Sequence, residues 1–318
     1  MATAEQLKLL AKAHYEGDKN RFDTVLIQIA ASEANKGHSN LARDLKKLID
    51  KNNFQNKKVK FIDPDLENLI VERETSHRLS DLVVGEDVLN SINNVIKEYR
   101  NRQKLLQYGL QNRKKLLLAG PPGTGKTLTA SVLTHELGLP LFIIQTDRLV
   151  TKYLGETSQK LSKVFEYMEN FDGVYLFDEF DSIASERNFE NDVGEIRRVI
   201  NSFLQQIEAN ENCFIIGATN NPQLLDKAIF RRFDDVIVYD LPDFYQIKKI
   251  IENTLATFII EKIDYDLIAK KARGLSHAEV VSACKDSIKE SILNDLNMNT
   301  NLLKVNIEKR IKKYSWEK

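Results

Sequence analysis

Gly120-Pro121-Pro122-Gly123-Thr124-Gly125-Lys126-Thr127 is the stretch that decides the fold of this 318-residue chain. It fits the pattern G-x-x-x-x-G-K-[ST], in which glycines let successive backbone N–H groups close around phosphate oxygens at a helix N-terminus. Three of the chain's 13 glycines and two of its 6 prolines fall inside it. The context also fits. Leu116-Leu117-Leu118 before it is a short apolar strand-like run, and a helical period opens after it, with Leu128 in its first turn. In such a loop Lys126 pairs with the β- and γ-phosphates of a nucleotide, and Thr127 offers its hydroxyl to Mg²⁺.

Working outward, more short apolar runs alternate with helical periods: Leu141–Ile144, Val174–Phe177, Cys213–Ile216 and Val236–Tyr239. Continuous apolar runs suit strands covered on both faces, so residues 81–241 are predicted to form an α/β three-layer sandwich around a parallel sheet. After Leu241-Pro242-Asp243 no strand signal returns, and 242–318 is predicted to be a smaller helical domain. At the other end, Thr3-Ala4-Glu5-Gln6 is a capping-box start, and apolar residues recur at helical spacing through Val25, Ile29, Leu41 and Leu45. Residues 1–51 are expected to be a three-helix bundle, and the polar, weakly periodic stretch 52–80 a linker.

Composition narrows the class of function. The 46 Lys and Arg balance 46 Asp and Glu, so no global charge favours a nucleic-acid coat or an acidic membrane. The 2 cysteines, Cys213 and Cys284, have no metal or redox spacing. With neither a leader-like start nor an apolar run of about 18 residues, the chain is expected to be cytoplasmic and soluble.

Val174-Tyr175-Leu176-Phe177-Asp178-Glu179 carries the second constellation: an apolar strand delivering two carboxylates at its C-terminal end, where open α/β sheets place ligands. Asp178 is suited to hold Mg²⁺ through its hydration shell and Glu179 to act as general base on the attacking water.

With these two motifs in order, the chain resembles the AAA+ ATPases over about residues 81–290. The resemblance implies further roles. Ile216-Gly217-Ala218-Thr219-Asn220-Asn221-Pro222 is similar to the family's sensor-1 strand and turn, with Asn220 set between the γ-phosphate and the attacking water. Ala228-Ile229-Phe230-Arg231-Arg232-Phe233-Asp234 is similar to the arginine-finger segment in the adjacent-arginine form of the katanin and spastin branch. Both arginines would then reach a neighbouring subunit's nucleotide. Gly274-Leu275-Ser276-His277-Ala278-Glu279 resembles the run that packs beside the base, with His277 standing where the family has glycine and with Gly274 and Ala278 kept. Asp81-Leu82-Val83-Val84-Gly85 resembles the segment lining the adenine pocket, which brings in Val84 and Gly85.

Lys152-Tyr153-Leu154-Gly155 resembles the pore loop of ring-forming unfoldases, in which an aromatic ring grips polypeptide without reading its sequence. The resemblance implies ATP and Mg²⁺ as cofactors, a homo-oligomeric ring, hexameric in the family, and a polypeptide substrate. Neither His-Glu-x-x-His nor Gly-x-Ser-x-Gly occurs, so any proteolysis belongs to a separate protein. The overall layout resembles stand-alone bacterial ATPases paired with a subtilisin-like serine protease in defence systems. Two other readings stay open: a DNA- or RNA-acting motor, suggested by seven basic and no acidic residues across 99–134, and a nucleotide-gated assembly switch.

Overall fold

The structure, a computed structural model, describes residues 8–9, 25–26, 29, 32, 66, 68–149, 154–181, 193–225, 227–256, 258 and 263–315. The chain divides into two compact units, residues 1–63 and 64–318. In the first, positions 8–9, 25–26, 29 and 32 are helical, and Val25 and Ile29 are buried. The rest of the expected three-helix bundle lies outside the described residues.

The second unit holds a six-stranded sheet. Its strands are β1 (Ile70–Arg73), β2 (Lys115–Ala119), β3 (Leu141–Ile144), β4 (Val174–Phe177), β5 (Phe214–Thr219) and β6 (Asp235–Val238), in the order β1-β3-β4-β5-β2-β6. The pairs β3–β4, β4–β5, β5–β2 and β2–β6 are parallel. β1 runs antiparallel to β3, with Ile70 opposite Ile144 and Arg73 opposite Leu141. The sheet is therefore mostly parallel, and the stretch expected to be linker supplies its edge strand. Ile70-Val71-Glu72-Arg73 gave no continuous apolar run because an edge strand is half-solvated and carries charge on its open side.

The central strands are apolar throughout because helices cover both faces. On one face α1 (Glu86–Arg100) and α3 (Lys126–Leu137) bring Ile92, Val95, Ala130 and Leu133 against Leu116, Leu118, Leu176 and Ile216. The short α2 (Arg102–Gln107) follows α1. On the other face lie α5 (Leu154–Asn170), reached through the single turn α4 (Thr146–Leu149), and α6 (Val193–Ala209). There Phe203 of α6 meets Phe177 edge-on at 5.2 Å and Phe165 of α5 stacks over Phe177 at 6.1 Å.

After the one-turn α7 (Lys227–Phe230) and β6, four helices finish the chain: α8 (Phe244–Leu255), α9 (Tyr265–Lys271), α10 (His277–Leu293) and α11 (Thr300–Ser315). Their starts are set locally. Asp243 forms a capping box with Gln246, and the side chains of Asp264 and Ser276 accept from the N–H groups of Leu267 and Glu279. These helices share a core of their own, centred on Ile247, Ile251, Ile268, Val280 and Leu303. The segment before α1 joins the two cores: Leu82 and Val84 belong to the sheet side, whereas Val83 packs into the helical one.

Candidate active site

β2 ends beside β6, and the chain must turn at once. Gly120 sits at φ +150° with its N–H donating to Thr219 O at 3.2 Å, and a Cβ there would lie 2.2 Å from Tyr239 O. The loop closes through the Thr124 hydroxyl, which donates to Pro121 O at 2.8 Å, and hands over to α3 at Gly125, φ +104°. Gly123, φ +73°, lies against the start of α10. A Cβ at Gly123 would fall 2.6 Å from Ser276 Oγ and 3.1 Å from Ala278 Cβ, while Ala278 N–H donates to Gly123 O at 3.0 Å.

Lys126 is only 6% exposed, and its Nζ donates to Gly120 O at 2.7 Å and Pro121 O at 2.8 Å. Burial pushes the ammonium's pKa below its ordinary value, and the charges of Asp178 and Asp181 pull the other way. Thr127 Oγ1 donates to Asp178 Oδ2 at 2.8 Å, so the hydroxyl and the carboxylate suited to Mg²⁺ meet although 51 residues apart. Asp178 Oδ1 accepts from the Glu179 N–H at 3.0 Å. Glu179 is exposed and left-handed at φ +50°, an uncommon state for a residue with a Cβ. Asn220 follows β5. Phosphate loop, carboxylate pair and Asn220 thus stand at the C-terminal ends of β2, β4 and β5, which are adjacent in the sheet.

Two members escaped the sequence reading. Asp181 is buried and accepts from Thr219 Oγ1 at 3.1 Å, from the Asn220 N–H at 3.4 Å and from Asn221 Nδ2 at 2.9 Å, tying the turn after β5 to the end of β4. Its signal was a third carboxylate in Asp178-Glu179-Phe180-Asp181. Tyr239, whose OH donates to Thr129 Oγ1 at 2.7 Å, braces α3 and had no signal beyond an apolar run.

The family model for ATPases associated with various cellular activities matches residues 116–241. An uncharacterized AAA family ATPase of Sinorhizobium fredii is 35% identical over 305 residues, covering 92% of this chain and 90% of its own. The chain belongs to the AAA family of ATPases. A putative 26S proteasome regulatory subunit homolog of Methanothermobacter thermautotrophicus is 30% identical over 215 residues, 66% of this chain and 57% of its own. The meiotic spindle formation protein mei-1 of Caenorhabditis elegans is 35% identical over 180 residues, 54% and 38% of the two chains.

The remaining candidate residues of this AAA ATPase are placed unevenly. Ala278, in the first turn of α10, touches the phosphate loop at Gly123, whereas Gly274, φ +88°, lies in the turn ahead of the helix with no atom near the position of a Cβ; Gly85 is the N-cap of α1 next to Val84. Arg231 is exposed after α7, whereas Arg232 is half-buried and Nη1 donates to the Glu208 carboxylate of α6. Of the pore-loop candidates, Leu154 and Gly155 begin α5, and Lys152 and Tyr153 lie outside the described residues. The basic stretch is largely engaged within the fold. Arg113 pairs with Glu98 at 2.6 Å and Asp235 at 2.5 Å, Arg100 pairs with Glu136 at 2.7 Å, and Lys114 and Lys115 donate to the carbonyls of Glu211 and Glu208. Among the described residues no three His, Cys, Asp or Glu side chains gather as a metal site, and no helix is long and apolar enough to cross a membrane.

Proposed function

We propose that this AAA ATPase splits ATP in a pocket completed by a neighbouring copy of itself, and that the resulting ring uses each cycle to remodel or thread polypeptide. The observation that carries the reading is the Thr127–Asp178 contact of 2.8 Å beside an exposed, left-handed Glu179. Two hard oxygens of that kind fit Mg²⁺, and Thr127 and Asp178 would hold it, Asp178 through water. Magnesium, when bound, neutralises charge on the phosphate oxygens.

The backbone of 120–127 binds the phosphates, and Lys126 Nζ transfers from its two loop carbonyls to their oxygens. Leu128, Val84, Gly85, Gly274 and Ala278 shape the rest of the nucleotide pocket. Glu179 takes the proton of the water that attacks the γ-phosphorus, and Asn220, held by Asp181, orients that water. ADP and inorganic phosphate leave. Arg231 and Arg232 of one copy stabilise the charge that develops in the next copy's pocket.

A polypeptide substrate is supported by the Lys152-Tyr153-Leu154-Gly155 run and by relatives named for a proteasome regulatory subunit and for meiotic spindle formation. The narrower form of the reading, service to a separate subtilisin-like protease in bacterial antiviral defence, rests on overall layout and on the lack of a protease motif. A nucleic-acid motor is disfavoured because Arg100, Arg113, Lys114 and Lys115 already hold intramolecular partners. The test is the mass of the Glu179→Gln chain by light scattering, with and without Mg-ATP. The variant is expected to bind ATP without splitting it and to accumulate as a ring; a monomer under both conditions would refute the shared pocket.

A further inference from the structure

Tyr239 follows β6 and is buried, with only 2% of its surface exposed. It reaches the phosphate loop at both ends. At the entrance the contact is through its backbone: its N–H donates to Ala119 O at 2.7 Å, and its carbonyl oxygen stands 2.2 Å from where a Cβ on Gly120 would lie. At the exit its side chain acts through Thr129, which is buried in the first turn of α3.

The Thr129 hydroxyl donates to Gly125 O at 3.1 Å, and the Tyr239 hydroxyl donates to Thr129 Oγ1 at 2.7 Å. The direction of this chain is forced. A carbonyl can only accept, so the single Thr129 proton is spent on Gly125 O, and Tyr239 must supply the next one. Burial pushes the phenol's pKa up, against the opposing pull of the Thr129 hydrogen bond, so Tyr239 stays a donor at neutral pH. A threonine in a helix can bond the carbonyl four residues back unaided, but its hydroxyl then keeps the freedom to rotate. The phenol removes that freedom.

Gly125 O accepts a second bond, from the Thr129 N–H at 2.8 Å, so both of its lone pairs are taken. The peptide joining Gly125 to Lys126 is trans and planar, so its N–H points opposite to its C=O. With the carbonyl held toward α3, the Lys126 N–H is aimed out of the helix N-terminus into the loop, among the donors that an α-helix leaves unpaired there. Gly125, at φ +104°, has no side chain to restrain that peptide, and the two hydroxyls supply the restraint.

We propose that Tyr239 and Thr129 are positioning residues for phosphate binding: their hydroxyls, acting in series, fix the Gly125–Lys126 peptide plane and present the Lys126 N–H to the phosphate oxygens. The inference rests on the reading of 120–127 as a nucleotide site.

The test is the calorimetric affinity of the full chain for ADP and for inorganic tripolyphosphate, which carries phosphates without base or sugar. Tyr239→Phe and Thr129→Val each remove one hydroxyl and should weaken both ligands about fivefold. The double variant should bind no more weakly than either single one, because both changes free the same peptide. Thr129→Ser keeps the hydroxyl and should stay within about twofold of the unaltered chain. A purely structural pair would shift the urea unfolding midpoint and leave both affinities alone, and that result overturns the proposal. Losses that multiply in the double variant, or a loss for ADP that spares tripolyphosphate, overturn it as well. Comparing Thr129→Val with Thr129→Ser needs no change at Tyr239, so a misfolded Tyr239→Phe does not protect the idea; equal affinities there refute it. If the unaltered chain binds both ligands and the variants match it, only this positioning role falls; if it binds neither, the nucleotide site falls and the inference with it.

Discussion

Arg231 and Arg232 are adjacent, yet the fold gives them different surroundings. Arg231 is exposed, while Arg232 is paired with Glu208 across 24 residues of sequence. Such a part-exposed pair contributes at most about 1 kcal/mol, so a neighbour's triphosphate can draw Arg232 away. Arg231→Ala and Arg232→Ala should each lower turnover by on the order of 10³-fold without weakening nucleotide binding to the same chain. Mixing either variant with Glu179→Gln, which keeps its fingers, should restore part of the lost rate; mixtures no faster than the sum of their parts would rule out catalysis between copies. At this scale the phosphate loop and Asp178–Glu179 were legible because their chemistry needs fixed residue types at fixed spacing. Asp181 was not, because only the fold brings it to Thr219 and Asn221.

Among the elements, Arg113 joins three: it leads into β2 and pairs with Glu98 of α1 and Asp235 of β6. Burial alone would raise the Glu98 carboxyl, but hydrogen bonds from the Arg113 side chain and backbone, with its charge, hold it below the ordinary 4.5. A carboxylate whose folded pKa is depressed stabilises the native state above its unfolded value and loses that contribution as pH falls through the folded one. Glu98→Gln should therefore cost on the order of 1 kcal/mol near pH 7, and its deficit should shrink as pH drops below 4.5, as read from urea unfolding at several pH values. A deficit that does not change with pH would mean that charge contributes nothing there. The five parallel strands could be located from sequence because helices on both faces demand apolar runs. β1 could not, because Glu72 and Arg73 on an edge look like any solvated loop.

For the whole molecule, the decisive residue is Tyr153, whose proposed work is mechanical. Tyr153→Ala should leave ATP turnover within about twofold and abolish processing of a polypeptide substrate; a processing rate equal to that of the unaltered chain would separate hydrolysis from threading and favour the nucleotide-gated switch. The boundary at 63 falls inside the expected linker, and the second unit keeps its two cores together through Leu82, Val83 and Val84. The packing of Gly123 against Ser276 and Ala278 constrains how such a chain can diverge. A crossover that swapped the last four helices for those of a distant cousin would import a foreign residue opposite Gly123, and anything bulky there would shut the loop on its own ligand. The two halves must therefore be inherited as a matched pair, although about 150 residues of sequence separate the parts that touch.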